Sequence, residues 1–316
     1  MIVVDRAPPY LTVQDDGRRR SRSVGVPRGG TMDSFALAAG NALVGNPLNA
    51  AVLEWGLGGG SLRFDSECTI ALAGARASAT LAGTTAAPLT TLHAAKGDEL
   101  MVEHLDSGRF FYIAVSGGID VPIVLHSRST YLPGRFGGLE GRLLRHGDIL
   151  RLREADGKGP SPGFHVPPEL MPAYAAGVVH ISPGPQADLF ADDAWRTLME
   201  EFRVSAASDR TGYRLDGPAL STSIGTLPSD AGCPGAIQIP GDGRPIALMA
   251  DAPTVGGYPK IAVVSDADLP ILAQREPGAS VRFELTSIEQ SQRASRKRAS
   301  DIHTIRHLAE SSRRRA

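Results

Sequence analysis

The chain has 316 residues, 42% of them hydrophobic, with a mean hydropathy of −0.09 and a formal net charge of −1. Such a chain is long enough for two domains or one large one, and its near-neutral balance excludes a generic polyanion or nucleic-acid binder. The neutrality is uneven: from Arg293 to Ala316 eight Lys/Arg face only Asp301 and Glu310, a net of +6 that leaves −7 for the remainder.

Two distant cysteines, Cys68 and Cys233, make no disulfide framework and suit a reducing, cytoplasmic setting. The opening MIVVDRAPPY lacks a charged leader followed by an apolar core, so no signal peptide is expected. No apolar run is long enough to cross a bilayer, and no membrane partner is expected.

In chain order, the first strong pattern is a helix over Met32–Val44, with Thr31 or Asp33 placed to cap it and Gly45 placed to end it. Apolar runs of strand length follow at Ile70–Ala73, Phe110–Val115, Ile149–Leu152, Val178–Ile181 and Val281–Phe283. With 36 Gly and 23 Pro between them, they indicate a mainly β barrel or sandwich with few helices. Three strand lead-ins resemble one another, Lys96-Gly97-Asp98, His146-Gly147-Asp148 and Pro277-Gly278-Ala279, each putting a Gly turn before an apolar strand.

The Gly/Pro/Ser-rich stretch Glu154–Pro172 marks a domain boundary, predicting an N-terminal lobe over 1–155 and a second over 170–290. Further helices are expected at Ala187–Phe202, with acids near its start, and at Asp268–Gln274. Ser287–Leu308 reads as an exposed helix, within a basic tail over 291–316 that is helical or disordered.

No GxGxxG after a strand, Walker loop, GxSxG elbow, HExxH or CxxC pair is present. GLGGGS at Gly56–Ser61 lacks the final Gly of a dinucleotide loop and reads as a structural turn. His303 and His307 stand at i,i+4, but no defined acid or Cys joins them; they read as solvated, and no metal site is expected. Cys68 reads as a small buried hydrophobe.

Five loops mix charge with glycine. Gly25–Asp33 sets Gly29 and Gly30 before a helix start, where backbone donors suit an anion or simple capping by Asp33. Gly117–Arg128 ends in Arg128, whose planar fork suits a carboxylate or phosphate, or pairs with Asp120. Ser208–Arg214 carries Asp209, Arg210, Tyr213 and Arg214 around one Gly, and Pro234–Pro245 carries Gln238. Asp251–Lys260, DAPTVGGYPK, packs Asp251, Gly256, Gly257, Tyr258 and Lys260 between Ile246–Ala250 and Ile261–Val264, two short strands. The same spacing also suits a plain strand-to-strand turn with a solvated Lys. Together the acids, amide, phenol, guanidinium and amine suit polarising an amide carbonyl and holding an anionic intermediate.

At these loops the chain resembles the allophanate hydrolase subunit 2 family, also called KipA-like or biotin-dependent carboxyltransferase-like, which includes subunits of bacterial 5-oxoprolinase. The likeness is carried by TVQDDGR, GVPRGGTMD, NALVGN, GGIDVPIVLHSRSTYLPGRFGGLEGR, PGPQADLF, SDRTGYRLDGPAL, PGAIQIP and GGYPKIAVVSDADLP, in order over about Met1 to Phe283. It implies two cyclophilin-like β-barrel lobes. It also implies ATP-dependent opening of the 5-oxoproline lactam to glutamate, in a hetero-oligomer with two partners, a KipI-like B-type subunit plus a lactam-hydrolysing A-type one. ATP would be bound with or by one of these partners. The alternatives are carboxyl transfer from carboxybiotin to urea, allophanate or another small amide, or a KipA-like regulatory binding role.

Under the first reading the catalytic residues are Lys260, to stabilise anionic oxygen, with Asp251, to fix Lys260 or move protons, and Tyr258. Gln238 orients the substrate beside Tyr258, and Arg128 and Arg210 hold carboxylate or phosphate. The substrate-binding set is completed by Asp209, Tyr213, Gly256, Gly257, Gly29, Gly30 and Asp33. His126 and Pro253 depart from the family's usual Gly and Gln.

Overall fold

The computed structural model describes residues 1–155, 160–221, 225 and 227–312. They form a mainly β protein with two barrel-like sheets and four α-helices among the described residues. The chain divides into two units, Met1–Gly17 with Asp33–Pro172 and Ala299–Ala316, and Arg18–Met32 with Ala173–Arg298. Two stretches, Arg18–Met32 and Ala299–Ala316, thus group out of chain order.

The sheet of the first unit runs Tyr10–Gln14, Val52–Gly56, Glu99–Val115, Gly60–Phe64, Ile2–Arg6, Ile149–Leu152 and Ile119–Asp120. Its spine is the antiparallel ladder between Cys68–Leu81 and Glu99–Val115, broken by register shifts near Arg76 and Ser78. Both strands run well past the apolar runs seen in the sequence. Their far halves mix exposed polar side chains, such as Glu103 and His104, with buried ones, and so lack a continuous apolar signal. Ile2, Trp55, Phe64, Ile70 and Phe111 build the core, with Trp55 edge-on to Phe111 at 6.5 Å.

Helix α1, Ser34–Leu43, is buried along Phe35–Leu43 and starts where the capping pattern places it: Asp33 Oδ1 accepts from the Ala36 amide at 2.8 Å. Gly40 lets it sit against the sheet, since a Cβ there would lie 3.2 Å from the Ala114 Cβ. The NALVGN run then turns the chain back, Asn41 Nδ2 donating to the Ala50 carbonyl at 2.9 Å and Asn46 Nδ2 to the Asn41 Oδ1 at 2.9 Å.

In the second unit a closed barrel follows the order Val178–Pro183, Lys260–Val264, Ala236–Gln238, Ile246–Leu248, Gly212–Asp216, Glu201–Val204 and Ser280–Leu285. The seam is the parallel pairing of Val178–Pro183 with Ser280–Leu285, register Val179↔Phe283. Alternation is clean here: Val281 and Phe283 point inward, while Arg282 and Glu284 point out.

The helix expected over Ala187–Phe202 is instead a 3₁₀ turn at Ala187–Leu189, helix α2 at Asp192–Leu198 and a strand at Glu201–Val204. Phe202 and Val204 are needed inside the barrel, Phe202 packing on Phe283 at 6.3 Å, and only a period-2 backbone puts both there. Helix α3 spans Leu269–Ala273, and helix α4 spans Ile288–Ser312 with Asp301, Ile305 and Ala309 buried along one stripe. No helix among the described residues is long and apolar enough to cross a membrane.

The three Gly lead-ins are one device used three times. Gly97, Gly147 and Gly278 have φ of 95, 85 and 85°, and each next amide donates back three residues, as in a type II turn that requires φ > 0 at its third position.

Candidate functional site

Lys260 opens the strand Lys260–Val264 and is almost fully buried, its side chain 3% exposed. Its Nζ donates to Asp230 Oδ2 at 2.9 Å, and that carboxylate is 54% exposed, so the pair runs from the protein interior to solvent. Gln186 closes the arrangement: its Nε2 donates to Asp230 Oδ2 at 3.3 Å and its Oε1 accepts from the Lys260 amide at 3.1 Å. The hydrogen bond from Lys260, then those from the Ala231 amide and Gln186, hold the Asp230 carboxyl below the usual carboxylate range.

The PGPQADLF run explains itself here. Gly184 donates to the Ile261 carbonyl at 2.8 Å, and a Cβ at Gly184 would lie 2.5 Å from the Lys260 carbonyl, so only glycine lets this segment cross so close.

Gln238 is buried on the neighbouring strand, in register with Lys260 across a local bulge. Gly256 pairs with Asp230 in a two-stranded ribbon, and its Cβ position lies 3.0 Å from Gln238 Nε2. The glycine is therefore needed for the room it leaves, not for a left-handed backbone. Gly257 accepts from the Leu227 amide at 2.8 Å, and Tyr258 is 44% exposed. Gln238 is thus paired with Lys260 and lies beside Gly256, while Gly257 and the exposed Tyr258 come between Gly256 and Lys260 in the chain. Gly256→Ala is expected to displace the Gln238 amide at unchanged melting temperature, as a shift of its side-chain amide resonances in NMR spectra would show.

Asp251 does not partner Lys260. It is buried, and Arg210 grips it with one edge of the guanidinium, Nε to Oδ2 at 2.9 Å and Nη2 to Oδ1 at 3.0 Å. Arg210 Nη2 also donates to the Gly30 carbonyl at 2.6 Å, while the Gly29 amide donates to the Ala250 carbonyl at 3.0 Å. Gly29 and Gly30, with φ of 63 and 90°, therefore dock the Gly25–Asp33 loop onto the Arg210–Asp251 pair. Nearby, Tyr213 is buried in the barrel with its hydroxyl donating to the Ala273 carbonyl at 2.7 Å, and Asp209 Oδ1 accepts from the Thr211 and Gly212 amides at 2.8 and 3.2 Å. Both act in this structure as fasteners of the fold.

In the first unit, Asp33 caps α1 and its amide donates to the Tyr112 hydroxyl at 2.9 Å. That hydroxyl donates to Glu54 Oε2 at 2.8 Å, and the Tyr10 hydroxyl donates to Glu54 Oε1 at 3.0 Å. Burial, then the Glu54 and Asp33 charges, push the Tyr112 phenol well above its ordinary value.

Arg128 lies 3.5 Å from Asp120 through Nη2, and its side chain is 20% exposed. Its loop is held by Asp15, whose carboxylate accepts from Ser127 Oγ and Ser129 Oγ at 2.6 Å each and from the Arg128 amide at 2.6 Å. His126 sits at φ 64° beside Leu125 at φ 53°, in a two-residue turn closed by Val124 and Ser127. This is the left-handed region where a glycine carries no steric cost, so His126→Gly should stabilise the protein by about 0.5–1 kcal/mol in urea unfolding.

Sequence reasoning misses Asp230, Gln186 and Asp15 as site residues. Gln186 and Asp15 do lie in the motifs PGPQADLF and TVQDDGR, but nothing in the local pattern marks Asp230, which only the ribbon with Val255–Gly256 delivers. His303 and His307 are exposed on α4, and no group of three metal-ligating side chains occurs among the described residues. Burial pushes the Cys68 thiol up to about 12, as befits a buried, unreactive side chain.

Fold and site together define a two-unit, mainly β protein in which two charge pairs, Lys260–Asp230 and Arg210–Asp251, are held beside glycine-bearing loops. The family described as carboxyltransferase domain, subdomain A and B, matches residues 24–285, and the chain belongs to that family. Among its relatives, the 5-oxoprolinase C subunit of Escherichia coli (strain K12) is 38% identical over 93% of this chain and 94% of its own length. Urea amidolyase of Lachancea kluyveri is 32% identical over 94% of this chain but only 17% of its own length. The crystal structure of the Kluyveromyces lactis urea carboxylase superposes with a TM-score of 0.89 at 30% identity, covering 96% of this chain and 29% of that one. The relatives are parts of enzymes that bear these names.

Proposed function

We propose that the protein is the C-type subunit of an ATP-dependent 5-oxoprolinase, working with a KipI-like B-type partner and a lactam-hydrolysing A-type partner. The observation that carries this reading is the match to the C subunit of 5-oxoprolinase over 94% of that protein's length. In the reaction, water adds across the lactam C–N bond, leaving a carboxylate on one side and an ammonium on the other. ATP is the co-substrate that drives it, bound with or by one of the partners.

The carbonyl oxygen gains negative charge as the bond is attacked, and a buried ammonium stabilises it more than a solvated one would. Lys260 supplies that ammonium, Asp230 and Gln186 orient it, and Gln238 with Tyr258 positions the amide. Arg128 offers its guanidinium to a carboxylate or phosphate. Asp251 and Arg210 take a positioning role, holding the Gly29-Gly30 loop. The test is reconstitution with the A-type and B-type partners: ATP-dependent release of glutamate from 5-oxoproline is expected, and a complex that releases none overturns the reading.

A second reading is favoured by the superposition on urea carboxylase: carboxyl transfer to urea or another small amide, with biotin carried by a partner. There Lys260 would meet the ureido oxygen of the carrier. Bicarbonate-dependent turnover of urea with a biotinylated partner would raise it above the first.

A further inference from the structure

The second unit carries a cavity of about 460 Å³ that the mechanism above uses only at its edge. Arg214, Asp216, Asp242, Arg244 and Tyr258 line it. On the strand Gly212–Asp216, Tyr213 and Leu215 point into the barrel, so Arg214 and Asp216 face outward together. Asp242 and Arg244 come from the following hairpin, where Asp242 Oδ1 accepts from the Arg244 amide at 3.1 Å.

Two guanidiniums and two carboxylates, all four on exposed residues, thus share one cavity open to solvent. Among the described residues none of the four side chains forms an ion pair with another, and neither guanidinium nor the Tyr258 hydroxyl has a hydrogen-bond partner. The volume falls in the range of small-molecule pockets, roughly 300–1,000 Å³.

We propose that this cavity binds a small zwitterion of the α-amino-acid class. Its carboxylate is taken by Arg214 and Arg244, its ammonium by Asp216 and Asp242, with the Tyr258 hydroxyl at the rim. A ligand bearing both signs satisfies both sets with charge-assisted hydrogen bonds. A plain oxyanion would bring its charge against two carboxylates, and a lactam acid has no ammonium to offer them. The inference goes beyond the lactam reading; only the choice of glutamate as the first probe rests on it.

The experiment is titration calorimetry of the full chain with L-glutamate, L-glutamine, 5-oxoproline and inorganic phosphate. Saturable binding of both amino acids is expected, at least tenfold tighter than of 5-oxoproline or phosphate. The double variants R214A/R244A and D216N/D242N should each weaken it at least tenfold, with melting temperature as the check on folding and the single variants R244Q and D216N standing in for a double variant that misfolds. Absence of saturable amino-acid binding overturns the proposal, as does binding that none of the variants changes. Phosphate or 5-oxoproline binding as tightly, or binding that D216N strengthens, would reveal a simple oxyanion site and also overturn it. Glutamate-releasing activity is scored separately. A complex inactive on 5-oxoproline whose C-type chain still binds amino acids refutes the lactam reading alone.

Discussion

Replacement of Lys260 by Met is expected to lower kcat for glutamate release from 5-oxoproline by about a hundred- to a thousandfold in the reconstituted complex, the loss associated with one donor to a developing oxyanion. Methionine keeps most of the stem's volume in a site where the side chain is 3% exposed, so packing should survive. The charge it leaves behind, on Asp230, is half-exposed and can be hydrated. For that reason Asp230→Asn should cost much less, about tenfold, because water can replace part of what the carboxylate does to orient the ammonium.

The acid side of the rate profile separates the two roles. Because the folded Asp230 pKa is depressed, the contribution of its charged form is complete above the ordinary carboxylate pKa and is lost only as pH falls through the lowered value. The wild-type pair should therefore persist to pH values below the usual carboxylate range, and D230N should remove that acid-side dependence. Activity of the Lys260→Met complex within about twofold of wild type would end the assignment of Lys260.

The second large effect is on stability. Arg210→Ala should destabilise the protein by about 3–5 kcal/mol in urea unfolding, since it strands the Asp251 carboxylate, whose side chain is 5% exposed, without its bidentate partner. It also frees the Gly30 carbonyl that Arg210 holds at 2.6 Å, so the Gly25–Asp33 loop should loosen, visible as faster amide exchange at Gly29. Replacing both partners, as in R210M/D251L, should recover much of the loss, because no unpaired charge then remains buried. A single-variant cost under 1 kcal/mol would show that the pair is not the anchor described.

Much of the architecture is legible in the chain itself. The Asp33 cap, the buried α1 body and Gly45 declare a helix by local chemistry alone, and the three Gly lead-ins announce type II turns because no other residue takes φ > 0 without cost. The segment over 187–202 reads as one helix because acids near a helix start are equally compatible with a short helix running into a strand. Only the barrel's demand for Phe202 and Val204 on one face decides between them. The convergence of Lys260, Gln238 and Gly256 could be anticipated from short, rigid turns between neighbouring strands.

Partner choice among the charges could not. Asp251 lies nine positions from Lys260 and shares its loop, yet it is spent on Arg210, forty-one positions away, while Lys260 takes Asp230, thirty away. By itself the sequence determined the β class, the turns, the capped helix and the family, because each depends on residues close in the chain or on a motif read in order. The tertiary structure alone decided which carboxylate meets which cation, because an ion pair depends on the closing of the barrel, and that closure brings together residues whose separation along the chain carries no information about their separation in space.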